Sequence, residues 1–299
     1  MSRRSKKSRG REPEVDDGDD PLAVINAGLR EQEEEEEDPD SPWLPLESNP
    51  EIFTDFAHKS GGLPKNWGWV DILGLDPELL GMVPEPCAGV ILLFPCTENI
   101  YKVRKQEKQK LLHNPPTPAT QKAYHVQQIA EFGNACGTIA SVHALINGAS
   151  VYSGNSHTSP LQKFRQGHEN ASALDRGKAL LATESLRNSS DQSANHRAAQ
   201  TAVPDRYGPD LDHHFVAFSP ISTSSNSTHV VELDGTKVLP VDHGSVTKLL
   251  AREERDSTVG DDPKKHTFLR AVAQVIRKRY MQVEPDSIEF SMMALCRIK

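Results

Sequence analysis

A continuous apolar run, AGVILLF, occupies residues 88–94 of this sequence, with a proline on either side of it. This pattern is typical of a central strand that is buried on both faces. Shorter apolar segments at residues 215–218 and 229–233 predict two further strands, separated by the polar turn STSSNST. Because the connection is short, these two strands should pair as antiparallel neighbours.

Other segments show the spacing of amphipathic helices. Asn49 and Pro50 begin the first of them as N-cap and first helical residue, and a glycine pair follows its end. The predicted helices cover residues 51–59, 77–80, 99–112, a run from 136, 159–168, 173–185, 246–255 and 268–280, and two further strands cover 67–70 and 288–295. Residues 187–205, rich in Ser, Asn, Gln and Ala, predict a long mobile loop. Strands and helices do not alternate regularly, which favours an α+β fold with one central antiparallel sheet flanked by helices.

Charge divides the chain into two regions. Residues 1–45 hold seven Lys or Arg and fourteen Asp or Glu, as a basic cluster followed by an acidic run. This composition predicts a disordered charged tail. The folded body, residues 46–299, then carries about one of the eight net negative charges. Such a body gives no argument for nucleic-acid binding.

Four cysteines, at positions 87, 96, 136 and 296, are too few and too scattered for a disulfide framework. No CxxC pair and no zinc-type Cys/His spacing occurs, so we expect neither a metal nor a cofactor. No apolar run is long enough for a transmembrane helix, and the N-terminus lacks the apolar core of a signal peptide. The sequence therefore predicts a protein of a reducing compartment, the cytoplasm and also the nucleus, without a membrane partner.

Cys136 lies at the start of a helix-like run, within the segment GNACGTIA. The unpaired N–H groups and the positive dipole end of a helix start stabilise a thiolate. Gly133 and Gly137 flank the cysteine and allow another backbone or an extended substrate to approach closely. A free cysteine is more often a small buried apolar residue. The functional interpretation therefore needs a proton acceptor and an acid elsewhere in the chain.

Two such partners lie on the predicted antiparallel strands. His214 stands near the start of the first strand, and Asp234 follows the end of the second. Antiparallel pairing brings both to one edge of the sheet, where the Cys136 helix needs to begin. His213 competes with His214, because strand alternation lets only one of two neighbours face the thiol, and local sequence does not choose between them. Asp234, ahead of a glycine, is alternatively the start of a turn.

The motifs GNACGTIA, HFVAF, ELDG and LPVDHG, together with ESNPEIFTDFAHKSG and FSMMALC, resemble the ubiquitin carboxyl-terminal hydrolase (UCH) family of cysteine deubiquitinases. The similarity covers roughly residues 46–299. It implies a papain-like cysteine-protease core with a knotted backbone. It also implies hydrolysis of esters, thioesters or amides at the C-terminal glycine of ubiquitin through a thioester. By motif position, the resemblance assigns the nucleophile to Cys136, the general acid–base to His214 and the orienting acid to Asp234.

The sequence departs from the family at the oxyanion-stabilising glutamine. The family has this residue six positions before the cysteine, where this chain has Ala130. Matching residues 126–129 to the corresponding family stretch selects Gln128 and makes Glu131 and Phe132 a two-residue insertion. We expect Gln128 to be the donor, with the backbone N–H of Cys136 as a second one. Removing one oxyanion donor typically costs about 3–4 kcal/mol in the transition state.

The resemblance also bears on the substrate and on alternative functions. The polar region at about residues 148–208 corresponds to the family's crossover region, which spans the active site and admits small or flexible leaving groups. If Gln128 does not reach the oxyanion, the alternative function is a ubiquitin-binding module with weak or no catalysis. A related ubiquitin-like modifier as preferred substrate is a third possibility.

Overall fold

The computed structural model of the protein describes residues 42–61, 63–152, 159–199, 212–224, 227–253 and 266–298. Most of the predicted tail at residues 1–45 lies outside this part of the chain. Trp43 and Leu44 are buried in the core, so packing begins before residue 46, the predicted start of the folded body. The knotted threading stays a prediction, because residues 153–158 and 200–211 also lie outside the described part.

The described residues form helices in ten places and strands in six. The helices are α1 (Pro50–Gly61), α2 (Pro77–Leu80), α3 (Glu98–His113), α4 (Pro118–Lys122), α5 (Cys136–Tyr152), α6 (Pro160–Gly167), α7 (Ala173–Leu181), α8 (Glu184–Ala194), α9 (Val246–Glu253) and α10 (Thr267–Ile276). The strands are β1 (Trp67–Asp71), β2 (Cys87–Pro95), β3 (His213–Ser222), β4 (Thr228–Leu233), β5 (Val241–Ser245) and β6 (Ser291–Arg297). A 3-10 turn, Ala130–Phe132, precedes α5, and a π-helical turn, Arg277–Met281, follows α10.

The six strands form one antiparallel sheet in the order β1-β6-β2-β3-β4-β5. The apolar run at residues 88–94 is the centre of β2, which lies between β6 and β3. The prediction of a central buried strand is therefore confirmed, as is the α+β fold with a central antiparallel sheet. Strand β6, the last in chain order, lies between β1 and β2. It is therefore an inner strand of the sheet and not an edge strand.

Both faces of the sheet are covered, which explains why β2 is apolar at every position. Alternate residues of β3 enter two different cores. Phe215 and Ala217 join the apolar cluster that contains α1 and α5. Val216 and Phe218 join the cluster that contains α10. The sheet is thus the middle layer between two groups of helices.

The prediction of a loop over residues 187–205 is wrong for its first part, because α8 extends to Ala194. Serine and asparagine have low intrinsic helix propensity, and packing overrides it here. Ser193 donates to Asp55 of α1 at 2.7 Å, and Ser190 lies 2.7 Å from the Thr138 hydroxyl of α5. Small polar side chains let α8 pack closely on two helices. Residues 200–205 lie outside the described part, and β5 and α4 were not predicted.

Candidate active site

Cys136 is the first residue of α5, and this helix start packs closely on β3. A Cβ atom at Gly137 would lie only 3.3 Å from the Phe215 ring. The absence of a side chain at this position therefore lets the helix approach the strand. Cys136 is 8% exposed, yet it lines an open cavity. The backbone N–H of Phe215 donates to the sulfur, in addition to the positive field of the helix start.

The structure brings His214 and Asp234 to Cys136 at one edge of the sheet. His214 is the second residue of β3, and Asp234 follows β4 directly. His214 Nε2 lies 2.8 Å from Asp234 Oδ1, and the ring also hydrogen-bonds the Cys136 thiol. With Nε2 engaged by the carboxylate, Nδ1 is the nitrogen left for sulfur. His213 instead faces Glu289 at 4.0 Å, so His214 is the neighbour that contacts the thiol.

The charges of the three groups stabilise one another. Burial lowers the pKa of His214, but the charge and hydrogen bond of Asp234 outweigh it and raise this pKa to about 10. Burial raises the pKa of Cys136, yet the His214 contacts outweigh this effect and the thiol pKa is lowered. Both directions favour the thiolate–imidazolium pair over the neutral thiol and imidazole.

Arg104 of α3 holds the other oxygen of the Asp234 carboxylate. Its Nη2 lies 2.6 Å from Asp234 Oδ2 and donates to the Thr236 hydroxyl at 2.7 Å. The backbone N–H and hydroxyl of Thr236 both donate to Asp234 Oδ1, at 2.9 and 2.8 Å. Burial raises the pKa of Asp234, but His214 and Arg104 outweigh it and hold this pKa well below its usual range. No sequence signal distinguishes Arg104 from the other cationic residues of α3.

Gln128 reaches the loop that precedes Cys136. Its backbone N–H donates to Gly235 O at 2.8 Å, which ties it to the turn after Asp234. Its side-chain Nε2 donates to Gly133 O at 2.9 Å. Gly133 has φ of 60° and ψ of −135°, a conformation that only glycine adopts readily. The second hydrogen of the Gln128 amide is left for a group in the cavity.

Glu131 and Phe132, which the motif comparison interprets as an insertion, lie in the 3-10 turn before α5. Phe132 is fully buried and packs edge-on against Trp43, with ring centroids 5.2 Å apart. The backbone N–H of Trp43 donates to the Phe132 carbonyl at 3.2 Å. These contacts anchor the turn to Trp43, and Gln128 lines the cavity.

The cavity at this edge has a volume of about 290 Å³. Its lining includes both the thiol and the glutamine, with aromatic and basic groups around them: Phe94, Cys96, Ile100, Tyr101, Arg104, Gln128, Gly133, Asn134, Cys136, His213, His214 and Thr236. The described residues contain no group of three or more His, Cys, Asp or Glu side chains suited to a metal ion. In the same part of the chain, no helix has the length and apolar character needed to cross a membrane.

Comparisons with known proteins agree with this arrangement. A family model described as ubiquitin carboxyl-terminal hydrolase, family 1, matches residues 43–261. The chain is 32% identical to a probable ubiquitin carboxyl-terminal hydrolase of Dictyostelium discoideum, over 85% of this chain and 88% of that protein. It is 30% identical to ubiquitin carboxyl-terminal hydrolase isozyme L1 of Homo sapiens, over 85% of this chain and 97% of that protein.

Among solved structures, the fold is similar to the UCH37 catalytic domain of Trichinella spiralis, which was solved bound to ubiquitin vinyl methyl ester. The TM-score is 0.59 at 21% identity, with 86% of this chain and 96% of that chain covered. This likeness supports the papain-like core predicted from the motifs. Because the family model matches most of the chain and the similarity to curated relatives extends over 85% of it, the chain belongs to ubiquitin carboxyl-terminal hydrolase family 1, a family of cysteine peptidases.

Proposed function

We propose that this protein is a deubiquitinase that hydrolyses esters, thioesters or amides at the C-terminal glycine of ubiquitin. Cys136 is the nucleophile, His214 the general acid–base and Asp234 the orienting acid. The observation that carries the proposal is the His214 ring, which bridges the Asp234 carboxylate at 2.8 Å and the Cys136 thiol beside an open cavity. The names of the relatives supply the substrate class.

In the first half-reaction, the Cys136 thiolate attacks the carbonyl carbon of the terminal glycine. The carbonyl oxygen becomes an oxyanion, and the imidazolium of His214 then gives its proton to the leaving amine, alcohol or thiol. The C–N, C–O or C–S bond to this leaving group breaks and a thioester to Cys136 remains. Asp234 stabilises the imidazolium throughout, since it holds Nε2 and leaves Nδ1 for the proton transfer.

The oxyanion needs donors that are in place before the reaction. Two candidates belong to residues that line the same cavity: the second N–H of the Gln128 side-chain amide and the backbone N–H of Cys136. The Gln128 amide is already oriented by its bond to Gly133 O at 2.9 Å. Its placement supports an active enzyme over a module that only binds ubiquitin.

In the second half-reaction, a water molecule attacks the thioester carbon. Neutral His214 accepts a proton from this water, and the same donors stabilise the second oxyanion. Collapse of the intermediate breaks the C–S bond and returns the thiolate–imidazolium pair. We expect small or flexible leaving groups to be favoured.

The test is hydrolysis of a fluorogenic amide at the ubiquitin C-terminus by the full chain. We expect turnover by the wild type and by Cys87→Ala, a cysteine remote from the cavity lining, and none by Cys136→Ala. A parallel binding measurement with ubiquitin separates the functions. Tight binding by the wild type without any turnover would identify a ubiquitin-binding module and overturn the enzymatic proposal. The same assay with ubiquitin-like modifiers decides which modifier is preferred.

A further inference from the structure

Two polar side chains of α5 share a face with Cys136. His143 lies seven residues after the cysteine and Asn147 four residues after His143, and helical residues at these spacings lie one above the other. Both contact the extended segment that ends at Gln128. Neither side chain takes part in the chemical steps above, so their polar character at a largely buried helix face requires another explanation.

Asn147 bonds both backbone polar groups of Tyr124. The Tyr124 N–H donates to Asn147 Oδ1 at 2.8 Å, and Asn147 Nδ2 donates to Tyr124 O at 2.9 Å. The same Nδ2 also donates to the carbonyl of His143 at 2.9 Å. The side-chain amide therefore pairs with the segment as a neighbouring strand would. This pairing fixes Tyr124 in register with one turn of α5.

His143 fixes Val126, two residues further along the segment. The His143 Nε2 atom lies 2.9 Å from Val126 N and 3.1 Å from Val126 O. A buried N–H without a partner is rarer than a buried C=O without one, so Nε2 is the acceptor of the Val126 N–H. Burial lowers the pKa of His143 to about 3. The ring therefore stays neutral and able to accept.

The same alternation continues to Gln128. A Cβ atom at Gly235 would lie 2.9 Å from the Gln128 Cβ and 3.0 Å from a methyl carbon of Ile139, so these residues converge at one point. Ile139 lies one turn before His143 on α5. Residues 124, 126 and 128 of the segment thus face residues 147, 143 and 139 of the helix. Cys136 lies about one turn before Ile139, at the start of the helix.

We propose that His143 and Asn147 are positioning residues, which set the register of residues 124–128 on α5 and so place the Gln128 amide beside Cys136. This inference rests on the proposed function, in which Gln128 stabilises the oxyanion. It also explains why the extra Glu131 and Phe132 do not displace the glutamine. The register is fixed before the insertion, which the 3-10 turn then takes up.

A double-mutant cycle tests the proposal. Asn147→Ser removes the Tyr124 contacts and keeps a hydroxyl that can bond the His143 carbonyl. We expect kcat for the ubiquitin amide to fall about tenfold with little change in KM, because a misplaced donor weakens only the transition state. In a Gln128→Ala background the same change should cost less than about twofold. Alkylation of Cys136 by iodoacetamide, which needs no oxyanion donor, should stay within about twofold of the wild-type rate.

Asn195→Ser is the matched control, since Asn195 Nδ2 makes the same bond to the carbonyl four residues earlier, at 3.0 Å. His143→Phe is a second variant that keeps a ring of similar size and should behave like Asn147→Ser. Equal losses with and without Gln128 would overturn the proposal. If the wild type hydrolyses no ubiquitin amide, the proposed function fails instead. The NMR signal of the Gln128 side-chain amide then decides: it should shift in Asn147→Ser and not in Asn195→Ser, and no shift overturns the inference.

Discussion

Asp234 and Glu232 are two buried carboxylates, two residues apart and on the same face at the end of β4, and each is bonded to a histidine. Asp234 Oδ1 lies 2.8 Å from His214 Nε2, and Glu232 Oε2 lies 2.9 Å from His243 Nε2. Burial raises the pKa of both acids, and charged neighbours outweigh it, so both pKa values are lowered. By local chemistry the two pairs are hard to tell apart.

The surroundings separate them. The His214 ring reaches a thiol and lines the cavity, whereas the His243 ring packs against Phe218 with centroids 6.1 Å apart. Glu232 is bound by Lys237, which also bonds Glu107, and Arg279 pairs with Glu107 at the outer end of the network. A histidine hydrogen-bonded to a buried carboxylate whose pKa is lowered is therefore not by itself evidence of catalysis. A nucleophile and open space beside the histidine make the difference.

The largest contrast is expected when each acid is made neutral. Asp234→Asn leaves His214 without the charge that stabilises its imidazolium, so kcat should fall by about 10²–10⁴. Glu232→Gln leaves Lys237 with one carboxylate fewer and should lower stability by about 3–5 kcal/mol. Its kcat should remain within about threefold of wild type. Steady-state kinetics and urea unfolding measure the two effects.

A comparable loss of kcat in Glu232→Gln, measured at a temperature where the variant is folded, would contradict the distinction between the two pairs. The converse result would contradict it equally: a fully active Asp234→Asn. Circular dichroism at the assay temperature is the control for folding. Loss of stability alone is expected for both variants and does not separate them.

The second contrast lies in the pH dependence of the Cys136 thiol. The thiolate–imidazolium pair exists from the lowered pKa of Cys136 up to the His214 pKa of about 10, so alkylation should begin at a lower pH than for an ordinary thiol. In Asp234→Asn the largest interaction that raises the His214 pKa is lost while burial still lowers it, so this pKa falls and the imidazolium stabilises the thiolate less. Alkylation at pH 7 should slow about tenfold.

Mass spectrometry of the Cys136 peptide follows this reaction separately from the other cysteines. Glu232→Gln should leave the profile unchanged, because its histidine does not contact the thiol. An unshifted profile in Asp234→Asn would mean that the helix start alone activates the sulfur. A shifted profile in Glu232→Gln would mean that the second network also controls the site.

Local sequence patterns predicted part of the site and of the fold. The strand positions of the histidine and the acid follow from apolar alternation and short connections, whereas the resemblance to the family assigned the three roles. The structure confirms that these side chains meet at one edge of the sheet. The helix at residues 77–80 and the central strand could also be predicted. Proline, glycine and continuous apolar runs determine secondary structure locally.

The rest depends on contacts between distant parts of the chain. Arg104 pairs with a carboxylate 130 positions away, and no local signal separates it from Lys102 or Lys105. The Ser-rich α8 is helical because it packs on α1 and α5, against its own propensity. The position of Gln128 depends on α5 side chains that follow it in sequence. Such contacts exist only once the fold is formed.

The smallest contrast compares two arginines, one for each acid cluster. Arg104 contacts Asp234 directly and its side chain is 16% exposed, whereas Arg279 pairs with Glu107 and is 35% exposed. Arg104→Met should lower kcat about three- to fivefold, since Asp234 keeps His214 and Thr236 but loses its cation. Arg279→Met should leave kcat unchanged and cost at most about 1 kcal/mol of stability. Equal kinetic losses in the two variants would show that the Glu232 network, like the Asp234 cluster, orients the catalytic histidine.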